Sequence, residues 1–111
     1  MEIVYNEITG SEREPFIIWV KAIKTSDIEA FKSSFSEYMQ QKFEKKGWQN
    51  VLEMYRENFK NEFGDYKVED FNVSFEADGK YQGRLVIKYK EKDLPPLDII
   101  KEGDKWVINE D

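Results

Sequence analysis

The hydrophobic pattern of this chain changes period once, at Gly64, and that change limits the folds open to it. Before Gly64 apolar residues recur at helical spacing; after it they alternate. Helices followed by strands in blocks point to an α+β protein, with N-terminal helices packed on a curved antiparallel β-sheet. A length of 111 residues suits a single domain spanning residues 1–111.

The helical half reads as three segments. Ser11 and Glu14 have the spacing of a capping box, and Pro15 suits a first helical turn. Phe16, Trp19, Val20 and Ile23 then fall on one face. Ser26 and Glu29 repeat the capping-box spacing ahead of Ile28, Phe31 and Phe35, and the helical pattern continues, with a break, through Tyr38, Met39 and Phe43. Gly47 suits a left-handed C-terminal cap. The third segment is the clearest: Trp48, Val51, Leu52, Tyr55, Phe59 and Phe63 stand at 0, +3, +4, +7, +11 and +15, and Gly64 closes it. A stripe of that kind is a core face.

In the strand half, Phe71, Val73 and Phe75 alternate with polar residues, as do Tyr81, Gly83, Leu85, Ile87 and Tyr89. A two-residue loop at Asp78-Gly79 would put the two apolar sets on opposite faces. A three-residue loop, Ala77 to Gly79, pairs Phe75 with Tyr81 and Phe71 with Leu85, puts every apolar residue on one face, and sets Gly79 left-handed beside a bulge. Val68 is out of phase with Phe71, which predicts a second bulge near Glu69-Asp70. Pro95 and Pro96 cannot donate to a ladder and mark a loop or edge. A two-residue turn at Gly103-Asp104 pairs Lys101 with Trp106 and Ile99 with Ile108. Leu97, Ile99, Trp106 and Ile108 then share one face, and Ile100 and Val107 the other.

Composition narrows the chemistry. The chain has no histidine and no cysteine, so Ser-His-Asp and Cys-His catalysis, disulfides and ordinary zinc sites are excluded. No metal site and no cofactor motif is expected: the chain carries no P-loop, GxGxxG, HExxH or EF-hand pattern. With 23 acidic and 17 basic residues, the net charge of -6 disfavours nucleic acid and anionic membranes as partners. Lys42, Lys45 and Lys46 are interleaved with Glu44 and read as a solvated helix end. No apolar run reaches the ~20 residues of a membrane span, so no membrane insertion is expected. The opening "MEIVYNEITG" is acidic and lacks a leader's apolar core. That implies a cytoplasmic protein if Met1 is the native start, and a cell-envelope or secreted one if the chain is cut from a longer protein.

Two stretches carry a family resemblance. "FIIWVKAIKTSDIEAF" is similar to the aromatic first helix, short break and D-x-x-x-F second helix of the nuclear transport factor two-like superfamily. "LDIIKEGDKWVI" is similar to its terminal hairpin. The resemblance covers nearly the whole chain and is nearest to small bacterial domains of unknown function, many attached to lipoproteins. It implies a cystatin-like roll, a cone-shaped cavity between sheet and helices, and frequent pairing through the outer sheet face. Enzymatic members commonly use His or Asp in the cone, and this chain has no histidine and no carboxylate clearly on the inward strand face.

The resulting expectation is a non-catalytic binding or protein-interaction domain, whose partner is a small molecule or a protein. Trp19, Tyr55, Phe59, Tyr89 and Trp106 are the candidates to line a cavity. Val86, Ile100 and Val107 are the candidates for a homodimer interface on the outer sheet face. The alternative is a small-molecule-binding or enzymatic member, with Asp70 re-aimed inward at the bulge and Tyr38, Tyr55 or Tyr89 as donor.

Overall fold

The computed structural model describes residues 11–110. The segment Met1 to Gly10, which carries the leader reading, and Asp111 lie outside the described residues. Four helices come first: α1 (Glu14–Thr25), α2 (Ile28–Ser33), α3 (Glu37–Lys46) and α4 (Trp48–Phe63). A 3-10 turn at Val68–Asp70 leads into β1 (Phe71–Ala77), β2 (Gln82–Tyr89), the two-residue β3 (Lys92–Asp93), β4 (Leu97–Glu102) and β5 (Lys105–Ile108). The sheet is antiparallel throughout, ordered β1-β2-β4-β5, with β3 also on β2. The architecture is α+β with its helices N-terminal.

Local chemistry sets the helix ends, and it differs from the capping-box expectations. The N-cap of α1 is Arg13, not Ser11, and its side chain makes no capping bond. Ser26 is not an N-cap either. It ends α1 in the left-handed region at φ 60°, and Asp27 caps α2 by accepting from the Ala30 N–H at 3.2 Å. The anticipated break separates α2 from α3 at Ser34-Phe35-Ser36, giving four helices among the described residues rather than three. Gly47 ends α3 and starts α4 at φ 92°, and Gly64 ends α4.

The break is where helices and sheet are joined. Phe35 bridges Ile108 in parallel: the Ser36 N–H donates to the Ile108 carbonyl and the Ile108 N–H to the Ser34 carbonyl, both at 2.8 Å. An edge strand that would otherwise present unpaired backbone is covered. Ser34 and Ser36 are fully buried, so their hydroxyls need partners. Ser34 Oγ donates to the Phe31 carbonyl at 2.7 Å. Ser36 Oγ donates to Asn109 Oδ1 at 2.6 Å and accepts from the Met39 N–H at 3.2 Å, so it caps α3 as well.

The terminal hairpin has the expected register: Lys101 faces Trp106 and Ile99 faces Ile108. Gly103 alone of the two turn residues has positive φ, at 65°, which fits a type II′ turn. The β1-β2 hairpin is a correction. Phe75 faces Leu85, Phe71 faces Tyr89, and Ala77 faces Gly83. The loop is therefore longer than the three-residue turn. The parity argument holds, because the shift is even and the apolar sets still share a face, but Tyr81 falls in the loop and is exposed. The steric reason is Gly83. A Cβ there would lie 2.5 Å from the Phe75 ring and 2.7 Å from the Glu76 carbonyl oxygen, so the missing side chain gives that ring its place. The bulge expected near Glu69-Asp70 is instead the 3-10 turn, with Asp70 Oδ2 accepting from the Lys67 N–H at 3.3 Å.

Trp106 is buried on the inner sheet face, with its ring 5.4 Å from that of Phe75 at 65°. Gly83 thus admits the ring that meets Trp106. Gly83→Ala should destabilise the fold by about 1–3 kcal/mol, the usual cost of overpacking. Chemical denaturation measures this, and an unchanged midpoint would show that the Phe75 ring does not need the space.

Candidate functional site

The pairing of β2 places a hollow beside α4. After β2 the chain turns at Lys90, with φ 54°, and runs back along β2 as β3. Pro95 and Pro96 then interrupt it, because neither can donate to the ladder. Pairing with β2 resumes at Leu97, opposite Leu85. The interruption leaves Leu94, Pro95 and Pro96 at the mouth of a hollow of about 500 Å³. That volume lies within the ~300–1,000 Å³ range of small-molecule sites.

Each wall follows from a stripe in the sequence. Tyr55, Asn58, Phe59 and Glu62 of α4 stand at i, i+3, i+4 and i+7 and line one side. Phe16 and Trp19 of α1 form the second wall, and Phe35 and Met39 at the α2-α3 junction close one end. Phe71, Ile87, Leu97 and Ile108 supply the sheet floor. The rings hold one another edge-on: Trp19 stands 5.4 Å from both Tyr55 and Phe59, at 77° and 86°. Such pairs contribute roughly 0.5–1.5 kcal/mol beyond burial. The Trp19 indole N–H is buried and has no hydrogen-bond acceptor among the described residues.

The polar lining is sparse and mostly one-signed. Glu62 and Glu110 are the charged residues of the described lining, and no basic side chain is among them. Glu62 is ion-paired with Lys92 of β3. Glu110 makes no ion pair among the described residues. Its Oε2 accepts from the Asp98 N–H at 2.6 Å, and the Asn109 N–H donates to the Asp98 carbonyl at 3.0 Å, so β4 holds the carboxylate in place. Tyr55 carries the electrostatic record of this arrangement. Burial pushes its phenol above the ordinary 10.0, and the Glu110 charge adds to the rise.

Three of the five cavity candidates, Trp19, Tyr55 and Phe59, line the hollow. Tyr89 does not. It packs behind the wall, 4.5 Å from Phe63 and 4.8 Å from Phe71. Trp106 does not either, because the longer β1-β2 loop leaves Phe75 to cover it at the hairpin end of the sheet. On the outer face, Val86 is 38% exposed and Ile100 half-buried, but Val107 is 4% exposed and offers no free surface. Val107 is buried because the α2-α3 junction covers β5. The Arg84–Asp98 row, an ion pair at 3.9 Å, separates Val86 from Ile100. The alternative catalytic set is not brought together: Asp70 caps its own turn, Tyr38 is exposed, and neither lines the hollow. Sequence reasoning missed Asn58, Glu62 and Glu110. The first two were legible as members of the Tyr55–Phe59 stripe. Glu110 was not, since its position depends on the Asp98 amide.

No protein-family model matches the chain, and no curated protein or solved structure matches it. Among the described residues no helix is long and apolar enough to cross a membrane.

Tyr55 links the hollow to alkaline stability. Its folded-state pKa is raised, so above pH ~10 the unfolded chain releases a proton that the folded chain keeps. The stabilisation is therefore full below pH 10 and falls as pH rises through the folded value. In Tyr55→Phe, stability measured by denaturation should decline less steeply between about pH 10 and 12 than in the wild type. Equal slopes would place the Tyr55 hydroxyl in water.

Proposed function

We propose that this chain is a non-catalytic binding domain that takes a small, largely apolar molecule into the hollow between α4 and the sheet. The observation that carries this reading is the hollow itself: about 500 Å³, walled by rings and aliphatic side chains, with a few polar groups. Binding sites are built in that way, with apolar walls for affinity and a few placed polar groups for orientation. The reading agrees with the likeness of "FIIWVKAIKTSDIEAF" and "LDIIKEGDKWVI" to the nuclear transport factor two-like superfamily, whose cone lies between helices and sheet. Catalysis is disfavoured because the chain has no histidine and Asp70 is engaged in its own turn.

The rival reading is a homodimer through the outer sheet face. Exposed Val86 supports it, and the small, divided apolar surface counts against it.

A filled hollow tests the proposal. Leu97 is half-buried and lines the hollow, so Leu97→Trp should occupy it at a stability cost of about 1–3 kcal/mol. Binding of the neutral dye Nile red, followed by fluorescence, should weaken about tenfold or more in the folded variant. Undiminished dye binding by Leu97→Trp would place the site elsewhere.

A further inference from the structure

We infer that the ligand is an organic cation: a protonated amine on an aromatic or aliphatic body, with the ammonium group at the mouth beside Glu110. The inference rests on the hollow being a binding site and adds the charge of what it takes.

Three observations point to a cation. The first is the balance of charge in the lining. Glu62 and Glu110 are the charged side chains of the described lining, and Lys92 neutralises Glu62. Glu110 remains as a carboxylate without an ionic partner among the described residues. It is also fixed, since the Asp98 N–H holds its Oε2 at 2.6 Å. A carboxylate oxygen accepts more than one hydrogen bond, so this anchoring leaves capacity for a ligand donor.

The second observation is the reach of that charge into the site. Glu110 helps raise the pKa of the Tyr55 phenol, a wall residue of the hollow. A charge that resists a second negative charge on Tyr55 would resist a ligand carboxylate or phosphate and attract an ammonium. Tyr55 itself stays a neutral phenol at neutral pH, able to accept from an N–H donor as well as to donate.

The third is the walls. Trp19, Tyr55, Phe59 and Phe63 line the hollow, and aromatic rings attract cations to their faces. Ring-walled sites with one carboxylate at the rim suit amines, whose apolar body is desolvated while the charged head keeps a counter-charge and some water. An anion would be left facing Glu110 with no basic lining residue to pair with. The net charge of -6 adds a long-range field of the same sign.

A matched series of probes separates this claim from the reading beneath it. Tryptamine, 3-ethylindole and indole-3-propionate share one ring and differ in charge: positive, none and negative. Isothermal titration of the wild-type protein at low salt should give binding in the order tryptamine, 3-ethylindole, indole-3-propionate. Tryptamine should exceed the carboxylate by about tenfold or more. That ratio should shrink as salt is raised, because the pair lies at a solvent-exposed mouth. Glu110→Gln keeps an acceptor for the Asp98 N–H and removes the charge, so the ratio should fall to about threefold or less while 3-ethylindole binding stays the same. The wild-type series alone decides the claim should that variant fold poorly. Neutral and charged probes binding equally in the wild type would overturn the cation inference and leave the apolar hollow standing. Tighter binding of the carboxylate would overturn it outright. Binding of none of the three would overturn both.

Discussion

Two main-chain hydrogen bonds, which together form one parallel bridge, hold the helical layer to the edge of the sheet, and the placement of the hollow depends on them. The Ser34 carbonyl and Ser36 N–H take both main-chain groups of Ile108 at 2.8 Å. Buried serines make this seam feasible, because each small hydroxyl finds partners in its own helix turn or in Asn109. A larger apolar residue at either position would fill the seam but leave a helix end uncapped. With the seam in place, Phe35, Met39 and Ile108 meet at one end of the hollow. α3 and α4 are then set by the ring cluster of Phe31, Phe35, Phe43 and Trp48, which stand 5.0 to 6.2 Å apart in neighbouring pairs.

Two features of the sequence shape the hollow. Pro95 and Pro96 break the strand that would otherwise run alongside β2, and the released residues form the mouth. The large rings also stand edge-on to one another, for example Trp19 against Phe59 at 86°. Edge-on rings satisfy their quadrupoles against each other. The charged groups of the described lining are Glu62 with its Lys92 partner and Glu110 with its Asp98 anchor.

Much of the fold was legible in local pattern. The α4 stripe, the glycine that ends it and the register of the terminal hairpin follow from spacing, since each is decided within about twenty residues. The β1-β2 loop was misjudged because parity fixes which face a residue takes, not how far the strands slide. The slide is set by how Phe75 packs over Gly83, a cross-strand fit. The capping errors at Ser11 and Ser26 have a similar origin: the spacing of a capping box was present, but the actual ends lie at Arg13 and Asp27. For the site, the aromatic residues on helix faces were found, while the polar Asn58 and Glu62 on the same face, and Glu110 beyond the last strand, were not. Trp19, Tyr55 and Phe59 sit where their stripes put them. Tyr89 and Trp106 share the inner face but not the hollow, because position along a strand depends on tertiary packing.

The central claim is that one hollow, walled by Trp19, takes the ligand. The three tryptophans offer a direct readout, since their indole N–H groups are distinguishable by nuclear magnetic resonance. Trp48 donates to Glu44 at 2.9 Å, Trp106 packs on Phe75 away from the hollow, and Trp19 lines it. Titration with tryptamine into ¹⁵N-labelled protein should shift the Trp19 indole resonance in proportion to occupancy and leave those of Trp48 and Trp106 in place. Saturable binding that moves Trp106 or Trp48 while Trp19 stays still would contradict the account.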